Sequence, residues 1–102
     1  MASNNAGPVP VTGTLAATGR STAFTPDPGR DFNATLSGTW VGTVTLDRSF
    51  DNGSTWSPCT NLGAALSFTA NLTEIVREPE GGVQYSFNFT RTSGSLVYRL
   101  SQ

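Results

Sequence analysis

The segment "VQYSFNFTR", residues 83–91, alternates without a fault: Val83, Tyr85, Phe87 and Phe89 fall on one side, and Gln84, Ser86, Asn88 and Thr90 on the other. A period of two places all four apolar side chains on one face of an extended strand, whereas a helix would scatter them around its circumference. The same rule holds elsewhere. "DFNATLS" (residues 31–37) sets Phe32, Ala34 and Leu36 against Asn33 and Thr35. "TWVGTVTLDRSF" (39–50) sets Trp40, Gly42, Val44 and Leu46 opposite Val41, Thr43, Thr45 and Asp47. "LVYRLSQ" (96–102) aligns Leu96, Tyr98 and Leu100. Apolar residues at helical spacing are missing from any stretch long enough to form a helix, so the chain is expected to be all-β.

Punctuation divides these runs. "DPGR" (27–30), Gly38, "PEGG" (79–82) and "TSGS" (92–95) carry the residues that turns demand. "TGTLAATGRSTAFTP" (12–26) supplies one or two further strands around Gly19, and "ALSFTANL" (65–72) and "TEIVRE" (73–78) read as two more. About seven short strands, with turn signals roughly every 8–12 residues, predict a small antiparallel β-sandwich. Gly42, in mid-strand, is expected to make room for a large facing ring or to mark a bulge. At 102 residues the chain makes one compact domain. Residues 13–102 are expected to form it, preceded by an extended arm over residues 1–12, where "SNNAGPVPV" is too rich in proline and glycine to fold cooperatively.

"RSFDNGSTW" (48–56) fits the pattern S-x-D-x-G-x-T-W at Ser49, Asp51, Gly53, Thr55 and Trp56. This is the Asp box, best known from sialidases and related propeller enzymes. A propeller needs at least four blades of roughly 40–50 residues; this chain is too short, and the box occurs once. The physical reading is a hairpin device. Asp51 accepts backbone N–H groups across the turn, Asn52-Gly53 supplies positive φ, Ser49 or Thr55 closes side-chain bonds, and the Trp56 indole shields them.

Chemistry has little else to use. There is no His and no Lys; the six basic residues are all Arg, and the seven carboxylates are Asp27, Asp31, Asp47, Asp51, Glu74, Glu78 and Glu80. A glycosidase needs two carboxylates across a cleft, one with a raised pKa. Glu74 and Glu78 share a strand face, but beside Arg77 and a turn they read as a solvated edge. No catalytic residue, metal site or cofactor is expected. "DNG" lacks the spaced oxygen ligands of a calcium loop, and Cys59, the one cysteine, can form neither an intrachain disulfide nor, without His, a zinc site. The sequons at Asn33, Asn52, Asn71 and Asn88 read as by-products of an Asn- and Thr-rich composition. A net charge of −1 without a basic run argues against nucleic acid as a partner, and no apolar run approaches the roughly 20 residues that span a membrane. "MASNNAGPVPV" has neither a basic nor an apolar leader region, so synthesis as a soluble cytoplasmic chain is expected. The charged fraction, 13%, is low, and Arg without Lys suits a surface that meets partners.

Two blocks, "GRDFNATLSGTWVGTVTLDRSFDNGSTW" and "EPEGGVQYSFNFTRTSGSLVYRLSQ", resemble a group of small tailed-phage virion proteins. These share G-T-[FW]-x-G-T-V-x-L-x-R-S-F-D-x-G-x-T-W, E-P-E-x-G-V-x-Y and an ending close to T-S-G-x-x-x-x-R-L-S-Q. The resemblance covers roughly residues 29–102 and transfers no catalytic residue. It departs at Ser86, where a basic residue is expected after the tyrosine. It implies a capsid- or tail-associated β-sandwich located in the virion. The leading expectation is a capsid decoration (cement) protein bound to the major capsid protein as a homo-oligomer, a trimer suiting threefold lattice sites. Its arm, with Asn4, Asn5, Pro8, Val9, Pro10 and Val11, would lie across the capsid. The competing expectation is a fibre or adhesin module that binds a host glycan on Trp56; another tail or head component is a third.

Overall fold

The computed structural model describes residues 8–102. The expected arm residues Asn4 and Asn5 lie outside the described part. Every regular element within it is a strand: β1 (Val11–Leu15), β2 (Gly19–Arg20), β3 (Asp31–Ser49), β4 (Ser57–Pro58), β5 (Thr60–Asn61), β6 (Ala64–Ala65), β7 (Ser67–Phe68), β8 (Leu72–Arg77) and β9 (Gln84–Ser101). The all-β expectation holds. β1 begins at Val11, so Val11 and Thr12, expected in the arm, are paired with Leu100 and Arg99 instead.

Strand lengths differ from the expectation. Gly38 and "TSGS" do not end strands; each lies inside a single long one, and together β3 and β9 pair from Asn33↔Ser101 to Ser49↔Gln84. At about 3.3 Å per residue a straight β3 would reach about 60 Å, but the longest extent of the molecule is 41 Å. The strand must therefore bend, and the core shows where its halves go. Phe32, at one end of β3, packs its ring 4.7 Å from Tyr85, which is paired with Arg48 at the other end. The sheet thus folds back on itself into two layers. Layer 1 has the order β1, the second half of β9, the first half of β3, and β8. Layer 2 has β2, the first half of β9 and the second half of β3, with β7 and β4 on the last.

The fold line has a chemical cause. Pairing slips by one residue between Val41 and Gly42, leaving Thr92 extra on β9. That bulge explains why inward residues of β9 are odd-numbered before it (Tyr85, Phe87, Phe89) and even-numbered after it (Leu96, Tyr98, Leu100). A Cβ on Gly42 would stand 2.3 Å from the Thr90 carbonyl oxygen and 2.8 Å from the Phe89 ring, so both anticipated roles, ring space and bulge, meet at this residue. Gly94, with φ 78°, lies opposite Trp40 and has the Thr39 carbonyl oxygen where a Cβ would be. The residues read as turn-formers serve here to crease a continuous strand.

Between the layers lie Phe24, Phe32, Ala34, Leu36, Val44, Leu46, Val83, Tyr85, Phe87, Phe89, Leu96, Tyr98 and Leu100, all buried. Trp40 is half-buried, edge-on to Phe89 at 5.6 Å, and donates its indole N–H to Asn71 Oδ1 at 2.7 Å. The Gln102 side chain fastens the "DPGR" turn, accepting from the Asp27 N–H at 2.7 Å and donating to the carbonyls of Asp27 and Arg30.

Three residues on the outward register of layer 2 are nevertheless buried, Asp47, Ser49 and Ser86. Ser86 Oγ is 3.1 Å from Ser21 Oγ and donates to the Ser21 carbonyl at 2.9 Å, while Ser21 Oγ accepts from the Phe87 N–H. The space that a basic residue after Tyr85 would need is filled by the Ser21 segment.

Candidate functional site

The Asp box forms the connection from β3 to β4, which pairs back on Asp47 and Arg48. Ser49 is fully buried at the end of β3; its Oγ donates to Asp51 Oδ1 at 2.8 Å and accepts the Gly53 N–H at 2.8 Å. Asp51 Oδ1 also accepts the Thr55 N–H at 2.8 Å. Asn52 and Gly53 take φ of 60° and 90°, the left-handed pair that closes such a turn. The Thr55 N–H, then the Ser49 hydroxyl, hold the Asp51 carboxyl below its ordinary range, since both stabilise the charged form. All five box residues thus lie in one turn, and Asp51 Oδ1 is taken up by that turn's own donors.

Trp56 lies against this turn, its Cζ2 3.7 Å from where a Gly53 Cβ would be. The Arg20 guanidinium sits over the indole at 4.7 Å and reaches Asp47 with Nη1 at 2.9 Å from Oδ2. A sugar ring stacks on a bare aromatic face; here that face carries a cation from β2. Sequence reasoning missed Arg20, because Arg20 and Trp56 meet only through the pairing of β2 and β3 with β9.

A second cluster was not expected. Glu78, read from the sequence as part of a solvated edge, is only 1% exposed. It accepts from Arg48 Nε at 2.9 Å and from the Tyr85 hydroxyl at 2.9 Å, both at Oε1, and from the Glu80 N–H at 3.1 Å at Oε2. Arg48 Nη2 closes a salt bridge on the same oxygen. Burial alone would raise the Glu78 pKa; the Glu80 N–H, the Tyr85 hydroxyl and Arg48 outweigh it and keep the carboxylate charged. For Tyr85, burial and its bond to Glu78 push the phenol up. A glycosidase acid needs the opposite shift in its carboxyl. One signal was available: Leu72, Glu74, Val76 and Glu78 share a parity, and an inward Glu requires an inward cation.

Beside this cluster the layers part. An apolar cleft of about 420 Å³ opens between β8 and the β5–β7 segment, floored by Ala34, Leu46 and Phe87 and walled by Leu66, Phe68, Leu72 and Val76. Glu74 and Arg77 stand in its lining. Cys59, Val76 and Arg77 are shared with a polar hollow of about 470 Å³ that contains Arg48, Pro79 and Tyr85. Burial pushes the Cys59 thiol up to about 11, which leaves it protonated and unreactive at neutral pH. Glu74, opposite Ala34 in the pairing, stays away from Glu78's hydrogen-bond network. Among the described residues no group of three or more Cys, Asp or Glu is placed to hold a metal. Among the described residues no helix is long and apolar enough to cross a membrane.

The edges of layer 1 complete the geometry. β8 pairs only with β3, and β1 only with β9. The outward backbone groups of both strands therefore have no strand partner among the described residues. Ile75 on β8 is 70% exposed and Val9, just before β1, is 83% exposed.

No family model, curated protein or solved structure matches this chain.

Proposed function

We propose that this chain is a structural component of a tailed-phage particle, a capsid decoration protein that sits on the head lattice as a homo-oligomer, with the major capsid protein as its partner. The observation that carries this reading is the pair of free edges in layer 1. A monomer that works alone blunts its edges with charged side chains, prolines or short strands; β1 ("VTGTL") contains no charge and no proline, and β8 ("LTEIVR") contains Glu74 and Arg77 but neither lysine nor proline. Exposed backbone on both sides of a small sheet suits a part whose stability is completed by neighbours. The sequence resemblance to virion proteins supplies the context, and the low charge without lysine agrees with a surface that is mostly interface.

The polar clusters fit a scaffold role. Asp51 and Glu78, the two carboxylates drawn into hydrogen-bond networks, are both held ionised by groups of the protein itself. Arg20 over Trp56 takes the platform that a glycan-binding adhesin would use. The test is quantitative mass spectrometry of purified virions. A copy number equal to that of the major capsid protein, or a simple lattice fraction of it, is expected. A handful of copies per particle would move the protein to a tail or fibre and end the decoration reading.

A further inference from the structure

We propose that two copies of this chain pair through the outer edge of β8, antiparallel about a twofold axis at Ile75, so that the four strands of each layer 1 continue into one sheet of eight.

The hydrogen-bond pattern shows which residues are open to a partner. Tyr85 and Phe24 exchange both backbone bonds, at 2.8 and 2.9 Å. In the first half of β9, odd-numbered residues therefore bond away from β3 and even-numbered residues bond toward it. The β3 partners of those even residues are odd: Thr45, Asp47 and Ser49. Even residues of β3 bond on its other side, where the Leu46 carbonyl accepts the Cys59 N–H at 2.8 Å. Phe32, Ala34, Leu36, Val44 and Leu46 all face inward, so one parity runs the length of β3. Phe32, Ala34 and Leu36 thus bond their β8 partners Val76, Glu74 and Leu72. Thr73, Ile75 and Arg77 turn their N–H and C=O groups outward, with no strand partner among the described residues.

The outer edge of β1 is a poorer template. Val11, Gly13 and Leu15 pair with Leu100, Tyr98 and Leu96, the inward-facing residues of β9, and bond to them. Thr12 and Thr14 point out instead. Pro8 and Pro10, of the same parity just upstream, carry no N–H. Proline therefore guards one side of layer 1, and β8 has none.

A second β8 is the complement this edge fits. With the axis at Ile75, Ile75 meets the partner's Ile75, and Thr73 of each copy meets Arg77 of the other. All three outward residues of each strand are then used. Moving the axis to Glu74 would set two carboxylates directly opposite, which is destabilising. Moving it to Val76 would set Glu74 against Glu78 and Thr73 against Pro79, which has no N–H to give. At Ile75, Glu74 faces Val76 instead, and the two Glu74 side chains are only diagonal neighbours. The charges of β8 thus select a register, and a net charge of −1 per chain adds little repulsion between copies. Directly opposite residues share a face of the sheet, so Ile75, 70% exposed in one copy, is covered by its twin. On the other face, a strand laid along Leu72, Glu74 and Val76 narrows the mouth of the apolar cleft. The contact joins copies to each other and stands whether or not the pair sits on a capsid.

The experiment uses full-length chains in a Cys59→Ser background. Ile75→Cys should oxidise to a covalent dimer, because its α-carbons would stand about 5.5 Å apart. Thr73→Cys and Arg77→Cys chains should join to each other when mixed. Glu74→Cys should crosslink poorly, its diagonal spacing of about 7–8 Å being beyond disulfide reach. Ile75→Cys chains that stay single, or Glu74→Cys chains that crosslink as readily, would overturn the proposal. In parallel, light scattering of the unaltered chain should show dimers at high protein concentration. Ile75→Lys should weaken that association about tenfold or more, with the strand signal in circular dichroism unchanged. A monomer or a trimer for the unaltered chain, or an unchanged mass for the Lys variant, would equally overturn it.

Discussion

The two halves of β3 and β9 receive opposite treatment in this molecule. Over layer 2 the outward face is closed: Ser21 covers Ser86, Arg20 joins Asp47 to the Trp56 ring, and the Asp-box turn ties down the end of β3 at Ser49. Over layer 1 the outward face is more open, with Ile75 and Val97 exposed and, among the described residues, both edge strands unpaired on their outer sides. The same two strands thus build one half that satisfies itself and one half that expects company. The difference lies in the connections. The residues after β2 and the β3–β4 hairpin fold back over layer 2, whereas layer 1 is bounded only by β1 and β8.

That contrast is most directly broken at Ser86. Ser86→Lys installs a long cationic side chain at a fully buried site bonded to Ser21. The ammonium must either be desolvated or push the Ser21 segment off the sheet, and the loss should be about 3 kcal/mol or more. Urea denaturation at fixed protein concentration measures it. A variant as stable as the parent would mean that the Ser21 segment is a removable cover and that layer 2 is no more closed than layer 1.

How much of this could be read in advance depends on how local the cause is. Phe32, Ala34, Leu36 and the four aromatic or branched positions of residues 83–89 announce their faces by alternation alone, and the structure buries all of them. The Asp box was legible for the same reason: its donors and acceptors lie within eight positions, from Ser49 to Trp56. Gly38 and "TSGS" were misread because glycine and serine signal only that the backbone departs from ordinary strand geometry. Whether it reverses as a turn or creases as a bulge is decided by the partner strand, here by Thr39 and Trp40 opposite Gly94. Glu78 was misread because its charge partner, Arg48, is 30 positions away. Asp47 and Ser86 follow the outward parity but are buried by segments that the parity of their own strands does not encode.

Glu78 sharpens the comparison at the place where the two layers come apart, since it links layer 2 (Arg48, Tyr85) to the end of β8. Glu78→Gln keeps the volume and removes the charge. Arg48, whose side chain is 33% exposed, regains water in part, so the expected cost is about 1–2 kcal/mol rather than that of a fully buried pair. The sign with pH follows from the lowered carboxyl. Its contribution is fully present above the ordinary value of 4.5 and is lost as the pH falls through the lower, folded-state value. The parent should therefore lose stability over that acidic window, and the Gln variant should lose less of it. Parallel stability–pH curves for the two proteins would show that Glu78 is not the group responsible.

The smallest effect belongs to the open half. Ile75 occupies the outward register of β8 opposite Asn33, and it is 70% exposed in a single copy. Ile75→Lys removes little buried surface, keeps the backbone, and adds the edge charge with which self-sufficient sheets protect themselves. Monomer stability should change by no more than about 0.5 kcal/mol. It is the same substitution to Lys as at Ser86, here at an outward position of an edge strand, and the gap between the two costs measures how unequally the layers are covered. A large loss of stability here would show that the outer face of layer 1 is packed against something within the isolated protein, and the division into a closed and an open half would fail.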